Sequence, residues 1–210
     1  MSIRAQSEVD KLFISARQGS GSCLGRLLTL YANYLKLLVS AQLDARLCTR
    51  VSPSDIVQET FFEAHRDFSQ FRGQSSGEFV AWLRRILVNN ILRVVEQHLL
   101  AEKRDVRREI SLENIGRRLE QSTARLETLL AERGDSPSGC AQRREHEIIL
   151  ADALAELPAS YRDVIVLRHI EGMPFDEVAL RMDRSAGAVR MLWLRALKKL
   201  REALEKREQL

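Results

Sequence analysis

Apolar residues return at intervals of three and four along almost the whole chain, the period of an amphipathic helix. No stretch shows the two-residue alternation of a half-buried strand, and no Asn-Gly or Asp-Gly pair marks a hairpin. The pattern predicts helices over residues 8–19 and 22–47, broken near Gly19-Ser20-Gly21. A third begins at Ser52-Pro53-Ser54-Asp55. Ser52 can cap it, Pro53 fits its first position, and Asp55 stands where a capping box wants an acid. It runs to Phe68, with Val57, Phe61, Ala64 and Phe68 on one face. Phe71 to Glu78, FRGQSSGE, is a loop by its glycines and serines. A long helical pattern then runs from Phe79 to Arg108, with Trp82 and Ile86 as core positions.

Residues 109–143 break the rhythm. Charges of both signs are dense, aromatics are absent, and the stretch ends in Gly134-Asp-Ser-Pro-Ser-Gly-Cys140. This composition predicts a linker with some helix in it. A second compact unit follows. Ile148, Ile149, Ala153 and Leu154 mark a helix ending at Leu157-Pro158. Val164, Ile165, Leu167 and Ile170 mark another, closed by Gly172. The expectation is an all-α chain of two small helical domains, 8–100 and 145–207, joined by a charged linker over 101–144.

Phe175 to Leu200 contains two apolar-periodic runs split at Asp183-Arg184-Ser185, and the split fits a helix-turn-helix. That motif needs a small residue where the helices cross, here Ala179. It needs a residue that tolerates a left-handed backbone at the turn, here Asp183. Ser185 is a good N-cap for the second helix. That helix keeps an apolar seam at Val189, Trp193, Ala196, Leu197, Leu200 and Leu204, with Leu192 as a further buried position. Arg190, Met191, Leu194, Arg195 and Lys198 fall largely elsewhere. In a helix-turn-helix the start of the second helix enters the major groove and later cations meet phosphates. Arg190 is then the base-edge reader, because a guanidinium can bond guanine in bidentate fashion. Arg195 and Lys198 suit the backbone. An ordinary four-helix bundle with an exposed basic helix is the rival reading.

Charge adds to this picture. The chain of 210 residues carries a formal net charge of only +4. Its distribution is uneven: +4 over residues 84–108, neutral over 109–144, −6 over 145–183 and +5 over 184–210. Two separate basic blocks suggest two places on one anionic partner. Hydrophobic residues make up 45%, enough for a core, and no apolar run nears the roughly 20 residues that span a bilayer. The start, MSIRAQSEVDKLF, lacks the apolar stretch of a signal peptide, so a cytoplasmic protein with no membrane partner is expected. Cys23, Cys48 and Cys140 are far apart and odd in number, which argues against a disulfide framework. His65, His98, His146 and His169 are scattered without a partner motif. There is no phosphate loop, metal spacing or nucleophile–base pair, so neither an enzyme nor a cofactor is expected.

The first half carries a second signal. Asp55, Glu59 and Glu63 recur every four residues as an acidic stripe, suited to a basic partner helix or simply to solvent. Beyond the loop, Arg84, Arg85, Asn89 and Arg93 project basic and polar groups. Between them Phe71, Arg72 and Gln74 are of the kind that hold unstacked bases of a single strand.

These strings resemble a family. DIVQETF, then FRG, then FVAWLRRILVNN, and after the linker ALAELPASYRDVIVLRHIEGMPFDEVALRMDRSAGAVRMLWLRALKKLREAL, look like regions two and four of an extracytoplasmic-function sigma factor. The likeness covers residues 8–100 and 145–205, and its wording looks most like the planctomycete-type branch. The resemblance implies a sigma factor that gives RNA polymerase its promoter choice. It implies that Asp55, Gln58, Glu59 and Phe62 dock the clamp of the polymerase largest subunit. It implies that Phe71, Arg72, Gln74, Ser75, Arg84, Arg85 and Asn89 open and hold the minus-ten element. It implies that Arg184, Ser185, Arg190, Met191, Leu194, Arg195 and Lys198 read the minus-thirty-five element. The flap of the second-largest subunit, promoter DNA and an anti-sigma factor are the other partners implied.

There are departures from the family pattern. The minus-ten loop is one residue longer around Ser75–Gly77, and Pro174 replaces the usual capping Ser or Thr. Met191 and Leu192 stand where Ser and Arg are frequent, which suggests apolar contact to thymine methyls. Two rivals remain: a stand-alone helix-turn-helix regulator, which leaves residues 55–95 unexplained, and a helical adaptor without nucleic acid.

Overall fold

The computed structural model describes residues 8–43, 51–101, 112–131 and 140–208. Every regular element among them is helical, as the periodicity predicts. α1 (Glu8–Arg17) and α2 (Gly21–Leu30) lie against each other. α3 (Ala32–Gln42) follows α2 after one break at Tyr31. The single helix expected over 22–47 is therefore two, at least to residue 43; 44–47 lie outside the described residues. Tyr31 is the pivot, with φ −86° and ψ 0°. It donates its backbone N–H to Leu28 O (3.1 Å), and its ring is buried beside Tyr34 and Phe79. Burial of a large ring outweighs the helical continuity that the periodicity implies.

α4 (Pro53–Asp67) starts as the sequence foretells: the Ser52 hydroxyl accepts from Ser54 N and Pro53 sits in the first turn. A 3-10 turn over Phe68–Gln70 closes it. α5 (Ser76–Ala101) begins three residues earlier than the periodicity indicates, because Ser75 caps it. Ser75 Oγ accepts from Glu78 N (3.2 Å), and the Glu78 carboxylate turns back to accept from Gln74 N (2.5 Å). Residues 102–108 lie outside the described part.

α1 to α5 make the first unit. Its core is a cluster of rings, Phe13, Phe68, Phe71, Phe79 and Trp82, over aliphatic layers from α3, α4 and α5. One polar pair lies inside: Asn90 Nδ2 donates to Thr60 Oγ1 (3.2 Å), and Thr60 Oγ1 donates to Ile56 O. A buried amide and hydroxyl satisfied by each other fix the register of α4 on α5 without an orphaned group.

The charged stretch between the units holds α6 (Leu112–Ala131), and α6 is packed. Ile115, Leu119, Ser122, Thr123 and Leu126 are buried on one side, while Arg117, Arg118 and Glu120 face out. It touches α3, α5 and the second unit. The Gly134–Cys140 loop expected before the second unit lies outside the described residues up to 139.

The second unit comprises α7 (Cys140–Glu156), α8 (Ala159–Ile165), a wide π-helical turn over Val166–Ile170, α9 (Phe175–Arg181) and α10 (Ala186–Glu208). Gly172 ends the π turn with φ +75°, where a side chain would be strained. A Cβ there would also lie 2.6 Å from the Arg125 guanidinium of α6. The wide turn leaves carbonyls free at its end. Arg125 donates to Ile170 O and Glu171 O (3.3 and 2.7 Å), and Ser122 Oγ donates to Ile170 O. α7 lies on α3 and α5, so the apolar cores of the two units are one continuous cluster.

Candidate nucleic-acid and polymerase interface

The helix-turn-helix forms from local interactions. Asp183 has φ +51°, the sole non-glycine residue of positive φ among the described residues. α9 closes on it in a Schellman pattern: Arg184 N donates to Ala179 O (3.0 Å) and Asp183 N to Leu180 O (3.3 Å). Ser185 caps α10, its Oγ accepting from Ala188 N (3.2 Å). Pro174 precedes α9 with no side-chain cap bond. Ala179 is buried at the crossing. Val189, Ala196, Leu200 and Leu204 are buried along the α10 seam, with Leu192, Trp193 and Leu197 half-buried beside them. Trp193 is held by its polar end, since Nε1–H donates to His169 Nε2 (2.9 Å) and the two rings stack.

The opposite side of α10 is free of core. Arg190, Met191, Leu194, Arg195 and Lys198 are all exposed, as are Arg184 and Ser185 at its start. Met191 and Leu194 are each 52% exposed, unusual for large apolar side chains. The Arg190 guanidinium lies 5.6 Å from the Phe175 ring centroid, a cation–π contact that steadies it without burying it. Leu180, 85% exposed on α9, was missed in the sequence reading. It stands off the face made by Phe175, Val178 and Met182, and helical phase alone could have flagged it.

In the first unit, Asp55, Gln58, Glu59 and Phe62 are all exposed on α4, and Phe62 is 65% exposed among polar neighbours. Glu63, third in the acidic stripe, is turned aside: Arg93 Nη1 donates to its Oε1 at 2.9 Å. Asp67 is paired with Arg66, which holds its carboxyl below the usual range.

The loop expected to hold bases divides in two. Arg72, Gln74 and Ser75 are exposed. Phe71 is not: it is 7% exposed, stacks on Phe68 with centroids 6.0 Å apart, and lies 5.0 Å from the Trp82 ring. Arg17 Nη1 donates to Phe71 O (2.7 Å) and anchors the backbone there. Gly73 lies so close under the Phe71 ring that a Cβ would overlap it. Phe71 thus supports the loop from below, because burying the ring stabilises the unit more than offering it to solvent.

α5 also departs from expectation at one position. Arg85 and Asn89 are exposed. Arg84 turns inward: Nε donates to the Tyr34 hydroxyl (2.7 Å) and Nη2 to Glu147 Oε2 (3.3 Å). Burial pushes the Tyr34 phenol well above its usual pKa, so it stays protonated beside the guanidinium. Arg84, Arg85 and Asn89 line one wall of a groove of about 500 Å³, and Gly116, Leu119 and Glu120 of α6 line the other. Among the described residues no cluster of His, Cys, Asp and Glu could hold a metal ion, and no helix is long and apolar enough to cross a membrane.

Comparison with known proteins accords with this geometry. The family model "Sigma-70 region 2" matches residues 30–99, and "Sigma-70, region 4" matches 147–200. The ECF RNA polymerase sigma-E factor of Haemophilus influenzae is 30% identical over 92% of this chain and 91% of its own length. The sigma-E factor of Escherichia coli strain K12 is 32% identical over 79% of this chain and 80% of its own. The RNA polymerase sigma-H factor of Pseudomonas aeruginosa is 31% identical over 72% and 70%. A solved structure of CnrH in complex with the cytosolic domain of CnrY covers 95% of this chain and 99% of its own, at 24% identity and a TM-score of 0.33. The chain belongs to the extracytoplasmic-function sigma factors of the sigma-70 family. It is an RNA polymerase sigma factor, and the region-two match to residues 30–99 sets aside the stand-alone regulator.

Proposed function

We propose that the two exposed faces divide the work of promoter recognition. α10 carries Arg190, Met191, Leu194, Arg195 and Lys198 into the major groove of the minus-thirty-five element, with Arg184 and Ser185 at its entry. Arg72, Gln74, Ser75, Arg85 and Asn89 meet the minus-ten element, with Arg84, bonded to Tyr34 and Glu147, and the buried Phe71 as supports of that face. Asp55, Gln58, Glu59 and Phe62 dock the clamp of the polymerase largest subunit, and the second unit meets the flap of the second-largest subunit. An anti-sigma factor is a further partner. The units are 8–100 and 145–207, with 101–144 between them. The protein acts in the cytoplasm, and the chemistry of transcription stays with the polymerase.

The observation that carries this reading is the exposure of Met191 and Leu194 between cations on a capped, well-packed helix. Exposed large apolar groups on such a face mark a contact surface rather than a solvated one, and thymine methyls are their complement in a major groove. Reconstituting core polymerase with this protein and mapping the 5′ ends of the transcripts tests it. A shared pair of upstream elements is expected. Start sites lost on Arg190→Ala and on Glu59→Lys support both faces; unchanged starts and yields with both variants would overturn the assignments.

A further inference from the structure

Arg190 stands at the edge between two surfaces of α10. At about 100° per residue, it lies about 60° round the helix from Trp193 of the apolar seam and about 40° from Leu194 of the exposed face. A long side chain at such a flank can lean either way. In this structure it leans toward the seam. Its Cζ lies 5.6 Å from the ring centroid of Phe175, the first residue of α9.

The ring is a fixed object. Phe175 is half-buried and meets Trp193 edge-on, with centroids 5.4 Å apart and planes at 76°. Trp193 is held in turn by the hydrogen bond and the stack with His169. Arg168 also lies over the Phe175 ring, at 4.9 Å, but it is half-buried and its Nη1 donates to Met173 O (3.1 Å). Of the two cations on this ring, Arg190 is the exposed one, free to leave for another partner.

The ring and a base edge compete for that one guanidinium. A π face attracts the cation whichever base stands opposite. A guanine in register offers two acceptors, whereas the other bases do not match the fork. Leaving the ring therefore lowers affinity for the preferred base. It costs nothing with the others, because there the guanidinium stays where it is.

We propose that Phe175 is a positioning residue that sets how strictly α10 reads its promoter: its ring holds Arg190 off the groove until a matching base takes the guanidinium. The inference rests on Arg190 as the base reader. Phe175 itself touches no base. Its ring makes the reader tolerant of mismatches, so a variant without the ring is the stricter reader. A merely structural ring has the opposite signature, since loosened packing weakens every sequence and sharpens none.

The test measures binding of the full chain to minus-thirty-five duplexes that differ only at the position where Arg190→Ala loses its preference. Phe175→Leu keeps an apolar side chain against Trp193 and removes the π face. It should bind the preferred duplex about 2- to 5-fold tighter than the parent does, the size of an exposed cation–π contact, and bind the other duplexes as the parent does. Phe175→Tyr keeps the face and should behave as the parent. A ring-fluorinated phenylalanine at position 175 keeps the shape and weakens the face; it should shift preference in the same direction as Phe175→Leu, and it serves if that variant fails to fold. Discrimination that is unchanged or lower in a folded Phe175→Leu or in the fluorinated chain overturns the proposal, and so does a gain that survives in an Arg190→Ala background. If Arg190→Ala itself leaves preference intact at every position, the base-reader assignment is what failed, and the role of Phe175 falls with it.

Discussion

Arg190 and Lys198 share one face of α10 but are expected to do different work, and the difference can be measured. Arg190 is the fifth residue of the helix and Lys198 lies eight residues on, about 12 Å further along the axis. Only the first of them sits where the helix start meets base edges. A bidentate guanidinium–guanine pair gives about 1–3 kcal/mol of discrimination. Arg190 must leave the Phe175 ring to make it, and an exposed cation–π contact is worth about 0.5–1 kcal/mol. With a wrong base the guanidinium stays on the ring, so that cost is deducted from the discrimination. At mid-range the net is about 1.25 kcal/mol, or roughly 8-fold at one base position. Lys198→Ala instead removes one phosphate contact. It should weaken every sequence alike and make the logarithmic salt slope shallower by about 0.9. Binding curves of the full chain on a randomised minus-thirty-five duplex at several salt concentrations separate the two effects. The reasoning fails if Arg190→Ala leaves preference unchanged at every position, or if Lys198→Ala changes the preferred base.

Three further outcomes follow from the geometry. Glu59→Lys should weaken binding to core polymerase at low salt by up to about 30-fold, since reversal replaces an attraction of at most about 1 kcal/mol with a repulsion of similar size; unchanged affinity in a pull-down or titration would remove α4 from the clamp. Phe71→Ala should destabilise the region-two unit by about 3–5 kcal/mol, as for a buried ring, whereas Arg72→Ala should stay within about 0.5 kcal/mol; denaturant melts compare them, and permanganate footprinting should show impaired strand opening for Arg72→Ala with Gln74→Ala although the fold is intact. Asp183→Gly should stabilise the helix-turn-helix by up to about 1 kcal/mol and Asp183→Val should destabilise it by about 1–2 kcal/mol, because the left-handed backbone there favours glycine and penalises a branched side chain; melting temperatures in the opposite order would mean that the turn is held by something other than its backbone.

What the sequence determined alone is what short-range physics decides. The helix-turn-helix could be read residue by residue, because its cap and its left-handed turn arise from bonds within six residues, Ser185 to Ala188 and Arg184 to Ala179, and its seam shows in the helical period. The cap at Ser52 was legible for the same reason. The break at Tyr31, the burial of Phe71 and the role of α6 were not. Each depends on partners distant in sequence. Phe71 is buried because Phe13 and Trp82 leave a space its ring fills, and Arg17, 54 residues earlier, pins its carbonyl. α6 reads as a charged linker by composition, yet Ile115, Leu119 and Leu126 find an apolar surface only when α3, α5 and the π turn stand together. Arg84 shows the limit most plainly. Its neighbours Arg85 and Asn89 face solvent as helical phase requires, but a long flexible side chain can choose among partners within its reach. A buried phenol from α3 and a buried carboxylate from α7 drew it inward; the packing of α3 on α5 brings the first beside it, and the packing of the two units brings the second.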